Sequence, residues 1–388
     1  MKRFFFFLPL FFLLGCTAQE IASVVNIAQS KDPVAAARTL GAQKMASYAR
    51  NPESFKRDAS LFTTALKKFN INIDLKWGEK NSRKPTTKKY VKYTQNYQSR
   101  AEVDFNRGII TVETLDREKS YASLKDAIIT TLMTPEDPRG VDLYSSEPIK
   151  LSGTPYLQGE VLDNNSREIS TYWQAENFAT YLVKHKVQEK NISIKGVNKR
   201  IKFVAIPMVK DHNQIRAKKY GQYVEEYANR YKISKNLVYA VMKVESNFNP
   251  YAVSHVPAFG LMQIVPQSAG RDAYRKIYNK DRVPTKEYLF QANKNIEMGT
   301  AYLNILNYSY LKDVRNPLSR EYCVIAAYNT GAGNVLRTFS KDKTEAVRQI
   351  NAMKPGVLYQ ALRNKLKHAE ARRYLYKVVM AKKEFVGI

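Results

Sequence analysis

Cysteine is almost missing from this chain: Cys16 and Cys323 are the only two among 388 residues. Two cysteines cannot build the kind of disulfide framework that small secreted domains rely on. Histidine is nearly as scarce. His185, His212, His255 and His368 stand singly, and neither HExxH nor CxxC occurs, so no metal and no cofactor is expected. No apolar run reaches the roughly 20 residues that a membrane-spanning helix needs. Acidic side chains are in deficit, 35 against 63 basic ones, for a net charge of +28. Such a surface attracts polyanions or anionic surfaces at low salt, without choosing among nucleic acid, lipid head groups and an acidic polymer. No internal repeat of fixed period is present.

The first residues make that choice. MKRFFFFLPLFFLLGC has Lys2 and Arg3 ahead of an apolar run from Phe4 to Leu14, then Gly15 and Cys16. This order reads as a secretory signal over residues 1–15, and Leu13-Leu14-Gly15-Cys16 resembles the bacterial lipoprotein box, in which the cysteine is acylated and becomes the new N-terminus. Thr17, where an aspartate would retain the protein at the inner membrane of enteric bacteria, favours the outer membrane. The expectation is a periplasm-facing protein held to a membrane through lipid on Cys16. Export argues against nucleic-acid binding, although basic aromatic stretches such as KKYVKY would otherwise suggest it. Cys323, followed by Val324, Ile325 and Ala326, reads as a buried thiol acting as a small apolar side chain.

Along the chain, residues 16–85 form an anchored N-terminal segment with little legible pattern, ending in the basic stretch GEKNSRKPTTKK. Residues 86–209 read as an α+β domain. AEVDF and IITVETL alternate apolar and polar residues around Asn106-Arg107-Gly108, which predicts a β-hairpin. Leu124, Ile128 and Leu132 recur at helical spacing in SYASLKDAIITTLM, and Pro135 ends that helix. YLQGEVLD reads as a strand, TYWQAENFATYLVKHKV as a helix and KRIKFVAIPMV as a strand. From residue 210 to 388 helix follows helix, with no convincing strand.

Within this helical part, ISKNLVYAVMKVESNFNP places an acid, Glu245, where a helix stops. Ser234 can cap its start, and Leu237, Val241 and Glu245 share one face at i, i+4, i+8. Burial on that face and the negative end of the helix dipole both disfavour a carboxylate and would raise its pKa, as general-acid chemistry on a poor leaving group requires. A solvated glutamate on a fraying last turn, or one paired with a lysine, is the other reading of the same residue.

Several motifs in order decide between them. Glu245-Ser246-Asn247-Phe248-Asn249-Pro250, Ala258-Phe259-Gly260-Leu261-Met262-Gln263-Ile264, Ala327-Tyr328-Asn329 with Gly331, and Glu370-Ala371-Arg372-Arg373-Tyr374 resemble the ordered motifs of the lytic transglycosylases with a soluble-transglycosylase, lysozyme-like catalytic domain. NIEMGTAYL is similar to the helix that family carries between its second and third motifs, and the match covers roughly residues 212–385. VKYTQNYQSRAEVDFNRGIITVET and the later PRGVDLY resemble the N-terminal domain of a membrane-bound branch of the family. Thr330 stands where the family usually has glycine, a change that is tolerable unless the position needs positive φ.

The resemblance implies that Glu245 is the sole catalytic acid and base. It would protonate the glycosidic oxygen between N-acetylmuramic acid and N-acetylglucosamine and then take the proton of the muramic 6-hydroxyl, leaving a 1,6-anhydro end in the glycan strands of peptidoglycan. Ser246 would hydrogen-bond near the carboxyl, and Gly260 would permit close backbone approach. Met262, Gln263, Tyr328, Asn329 and Tyr374 would contact the sugars. Most glycosidases need two carboxylates, so Asp272, Glu297 and Glu321 are the acids to locate. A water-using lysozyme-like hydrolase and a non-catalytic wall-binding lipoprotein remain the alternatives; protein partners are not legible.

Overall fold

The computed structural model describes residues 52–254 and 258–387. The expected signal peptide, Cys16 and His255 lie outside those residues. Helix α1 (Pro52–Trp77) leads into strands β1 (Lys89–Thr94), β2 (Ser99–Asp104) and β3 (Ile109–Thr114), then α2 (Ser120–Leu132) and α3 (Tyr172–His185), β4 (Gln188–Ile194) and β5 (Val197–Pro207). The five strands form one antiparallel sheet in the order β1-β2-β3-β5-β4.

The remainder is helical. It comprises α4 (His212–Lys218), α5 (Gly221–Tyr231), α6 (Lys235–Ser246), α7 (Arg271–Tyr278), α8 (Lys286–Leu289), α9 (Ala292–Ile305) and α10 (Pro317–Thr330). Helices α11 (Ala332–Arg337), α12 (Lys343–Ala352), α13 (Pro355–Lys365) and α14 (Ala369–Glu384) complete it. The α+β part followed by an all-α part is the fold class expected from the sequence.

The hairpin between β2 and β3 turns at Gly108, which has φ 62° and whose missing Cβ leaves room for the His212 ring. Leu124, Ile128 and Leu132 are buried on α2 as their spacing predicts. Thr171 opens α3 with a capping box closed by Gln174. YLQGEVLD is a correction: it forms turns, not a strand. Gly159 takes φ 76°, and the amides of Gln158 and Glu160 bond back to Pro155 and Leu157. Its buried Tyr156, Leu157 and Val161 fill the core from a loop. β1 and β4 are strands that the sequence pattern does not announce.

The buried apolar residues fall into two clusters. One gathers the sheet with α2 and α3, and α1 adds Leu66, Phe69, Ile73 and Trp77 to it. The second runs from Ala217 to Phe385. Cys323 lies inside the second, fully enclosed, and burial pushes its thiol up to about 12, which makes it an inert packing residue. Tyr251 belongs to the chain of the helical part but packs in the first cluster, edge-on to Tyr90 and Tyr156.

Trp77 is fully buried, donates its indole N–H to the Tyr97 carbonyl at 2.8 Å and lies 3.8 Å beneath the Arg100 guanidinium. Trp77→Ala should therefore cost about 3–5 kcal/mol in urea unfolding. A loss below about 1 kcal/mol would mean that α1 is not integral to the sheet's core.

Candidate active site

Helix α6 ends at Ser246 because Asn247 and Phe248 both adopt left-handed backbone, at φ 51° and 58°. Asparagine tolerates that conformation better than other side chains with a Cβ. The turn leaves Glu245 half-buried on the last helical turn, while Leu237 and Val241 of the same stripe are fully buried. Ser234 occupies the N-cap position without a side-chain bond, and its carbonyl accepts from the amides of Leu237 and Val238.

Two tyrosines converge on Glu245. Tyr374 of α14 approaches it with its hydroxyl; burial first, and then the charge of Glu245, hold that phenol well above its ordinary range. Tyr328 of α10 is raised for the same two reasons, and it donates its hydroxyl to the Met262 carbonyl at 2.9 Å. Both phenols therefore stay protonated at any physiological pH, and the single O–H of Tyr328 is committed to the Met262 carbonyl.

The turn that carries Gly260, Met262 and Gln263 faces them. Gly260 has φ 73°, and a Cβ there would collide with the Asn295 side chain and stand 2.6 Å from the Leu289 carbonyl oxygen. The close approach this glycine permits is thus to the protein's own framework. Asn295, on α9, holds the turn: it donates to the carbonyls of Phe259 (2.7 Å) and Leu289 (2.8 Å) and accepts from the Met262 amide (2.7 Å). Gln263, at φ 49°, donates to the carbonyls of Gly260 (2.8 Å) and Ala252 (3.2 Å), and its buried Oε1 has no hydrogen-bond partner in the protein. Enclosed as it is, that oxygen faces the interior, and the side chain's bonds serve the turn.

Two expected contacts are corrected by burial. Ser246 points inward and shares its one hydroxyl proton between the carbonyls of Met242 (3.0 Å) and Leu261 (2.7 Å), so it fastens α6 to the turn and not the carboxyl to its surroundings. Met262 is 0% exposed, packed over Gly299, where it supports the turn without offering a face to a sugar. Asn329 donates to Glu370 at 3.3 Å. Thr330 is the last residue of α10 with ordinary helical backbone, and the positive φ of 92° falls on Gly331, so the substitution costs nothing.

The other acids are committed elsewhere. Glu297 accepts from Arg230 at 2.9 Å and from the Tyr231 hydroxyl, Asp272 accepts from Tyr310 at 2.9 Å, and Glu321 pairs with Lys382 at 2.5 Å. Glu370 is the acid that sequence reasoning quoted without weighing; it acts on both Asn329 and Tyr374.

Residues of the α+β part, with Arg216 of α4, also reach the end of α6. Lys88 donates to the carbonyls of Lys243 (2.6 Å) and Val244 (2.7 Å). Arg216 donates to the Asn247 carbonyl (3.0 Å) and pairs with Glu160 (2.8 Å). Asn247 donates to the Phe105 carbonyl (2.8 Å), Asn249 to that of Thr87 (3.3 Å), and the Tyr251 hydroxyl to that of Pro135. No local pattern signals these contacts, because each joins segments far apart in sequence. Two cavities lie at the same junction. One of about 260 Å³ is bordered by Arg139, Lys219, Tyr223 and Gly260, and the other, of about 420 Å³, by Arg139, Tyr144, Val253 and Lys286.

Comparison with known proteins adds a family to this geometry. A family model described as the N-terminal domain of membrane-bound lytic murein transglycosylase C matches residues 55–219, and one described as the transglycosylase SLT domain matches residues 222–351. The membrane-bound lytic murein transglycosylase C of Klebsiella pneumoniae is 42% identical over 334 residues, 86% of this chain and 91% of its own. That of Yersinia pestis is 43% identical over 334 residues, 86% of this chain and 92% of its own. The chain belongs to the membrane-bound lytic murein transglycosylase C family.

The 70 kDa soluble lytic transglycosylase of Escherichia coli aligns in structure over 43% of this chain and 24% of its own, at 25% identity and a TM-score of 0.33. In this member of the transglycosylase C family, the family's two regions meet between residues 219 and 222, at the junction of α4 and α5. Among the described residues no helix is long and apolar enough to cross a membrane.

Gly260→Ala should lose more than about 1 kcal/mol of stability, since both the positive φ and the enclosure oppose a methyl group. It should lower activity further than stability alone explains, because the displaced turn carries Gln263. A variant with native melting temperature and native activity would show that the turn relaxes freely.

Proposed function

We propose that the chain cleaves the β-1,4 bond between N-acetylmuramic acid and N-acetylglucosamine in peptidoglycan, with Glu245 as its single acid and base. Family membership, together with Glu245 standing at the end of α6 between Tyr328 and Tyr374, carries this reading. Glu245 protonates the bridging oxygen as the C1–O bond breaks. The 6-hydroxyl of the same muramic residue attacks C1, and its proton returns to the carboxylate. The product is a 1,6-anhydro end, and no water is consumed. An attacking group already carried by the substrate gains from proximity and needs no second carboxylate to activate it.

Tyr374 supplies a donor and Tyr328 ring surface beside the carboxyl, Gln263 shapes the turn facing them, and Asn329 offers an amide set by Glu370. Gly260, Ser246 and Met262 serve by fixing the turn. Residues 210–388 form the catalytic part. The α+β part, expected to begin at residue 86, takes in α1 as well, since that helix shares its core. The relatives' membrane-bound description fits an anchor, which we assign to lipid on Cys16 after removal of residues 1–15, at the periplasmic face of the outer membrane. The net charge of +28 would hold the enzyme against acidic stem peptides of the wall.

A chain lacking residues 1–16, incubated with purified peptidoglycan, should release muropeptides ending in 1,6-anhydro-muramic acid, which mass spectrometry separates from the reducing ends of hydrolysis. Glu245→Gln should keep the fold and glycan binding and lose cleavage by at least about 100-fold. Reducing ends would instead establish a hydrolase and direct attention to Glu370. A folded Gln variant cutting at the native rate would remove Glu245 from the mechanism.

The anchor has its own test. Cys16→Ser should abolish incorporation of labelled fatty acid into the full-length protein and release it from the membrane fraction. Continued labelling would place the acyl group elsewhere.

A further inference from the structure

The end of α6 poses an electrostatic problem. The last carbonyls of a helix have no partner within it and carry the negative end of its dipole. In α6 the Val244 carbonyl, immediately before Glu245, is one of them, and the Lys243 carbonyl one residue earlier already accepts the Asn247 amide at 2.9 Å. Both accept from one amine, Lys88 Nζ, which enters from the start of β1. The segment bearing Lys88 is itself fixed. Its amide bonds to Thr86 Oγ1 at 3.2 Å, its carbonyl accepts from the Phe105 amide at 3.1 Å, and the neighbouring Thr87 carbonyl accepts from Asn249.

We propose that Lys88 is a positioning residue for the reaction at Glu245: from the accessory sheet it locks the last turn of α6 and places a cation beside the carboxyl that must exchange a proton. This rests on the reading of Glu245 as the catalytic acid. The groups facing Lys88 are Glu245 and Lys243 on α6, Lys377 on α14 and Arg216 on α4. Enclosure of the amine, opposed by Glu245 and reinforced by the three cations, pushes Lys88 down to about 7. Its charge is therefore present in mildly acidic conditions and lost as pH rises through neutrality.

The sign of the coupling follows. A cation near Glu245 stabilises the carboxylate that forms as the proton is given to the leaving oxygen, so its removal shifts the carboxyl's titration to higher pH. Lys88→Met keeps the aliphatic stem without the charge. Lys88→Gln can still donate to one carbonyl without the charge and carries the same readout should the Met variant not fold. Lys88→Arg keeps the charge.

With peptidoglycan as substrate, kcat of the Met and Gln variants should fall by about tenfold or more with KM little changed. The alkaline limb of their pH–rate profile should move up by about one pH unit. The Arg variant should recover most of kcat. Folded Met and Gln variants whose alkaline limb coincides with that of the native enzyme would overturn the proposal, even if their rates drop uniformly at every pH. Glu245→Gln assayed alongside separates the two claims. If it is inactive while the Lys88 variants behave natively, only the role of Lys88 fails; if it is active, the assignment of Glu245 fails first.

Discussion

The structure turns on the way one helix ends. Helix α6 has to stop at Ser246 to leave Glu245 facing the open side of the molecule, and stopping exposes carbonyls that the helix cannot satisfy. The helical part meets some of that demand itself, through the Asn249 amide, which bonds to the Ser246 carbonyl, and through Arg216 of α4, which donates to that of Asn247. The α+β part adds Lys88, which donates to the Val244 carbonyl, and the Phe105 carbonyl, which accepts from the Asn247 side chain, and the left-handed turn at Asn247 lets them converge. The α+β part in this sense helps to cap the helix that carries Glu245, and its sheet is the base from which that cap is delivered.

The cost of this arrangement shows in the charges it buries. Arg216 and Glu160 are 1% and 0% exposed as side chains, and a buried ion pair repays its desolvation only when every remaining donor and acceptor is met. Here they are. Glu160 also accepts from Lys219, and Arg216 spends its other N–H groups on Asn247, Asn213 and His212. An arginine has only donors, so His212 Nδ1 accepts and the ring is neutral, which agrees with burial and the guanidinium lowering its pKa. A pair of this kind adds little net stability and much geometric definition, which suits a junction whose task is to place a helix terminus.

How much of this was legible in the sequence depended on distance along the chain. Glu245, the two tyrosines and Gln263 lie in short strings whose order survives as a pattern, and the hairpin around Gly108 and the helix through Leu124 obey simple periodicities. Ser246 and Met262 sit in those same strings, yet they turn inward, because a motif records which residues recur and not which way each side chain points. β1 escaped notice because four successive residues, Tyr90 to Tyr93, are buried, Lys92 included, so no alternation betrays the strand. YLQGEVLD misled for the opposite reason, since its apolar spacing serves a turn closed by Gly159. Lys88 could not have been found at all: 155 residues separate it from Lys243, and as one lysine in a basic stretch it looks like solvated charge.

The proposed chemistry explains why such effort should go into a helix end. When the attacking hydroxyl belongs to the substrate, the enzyme neither recruits nor activates water, and its contribution reduces to holding one carboxyl where a proton can leave and return. A misplacement of the order of 1 Å in such a site can cost about 100-fold in rate. A two-carboxylate glycosidase can divide acid and base between separately tuned groups. With a single carboxyl, the same group must be acid and then base, and the precision has to come from the backbone that carries it. Lys88 and Arg216 act on that backbone directly, through the carbonyls of Val244 and Asn247 on either side of Glu245, and this is why an accessory sheet can matter to a reaction in which none of its side chains need touch the sugar.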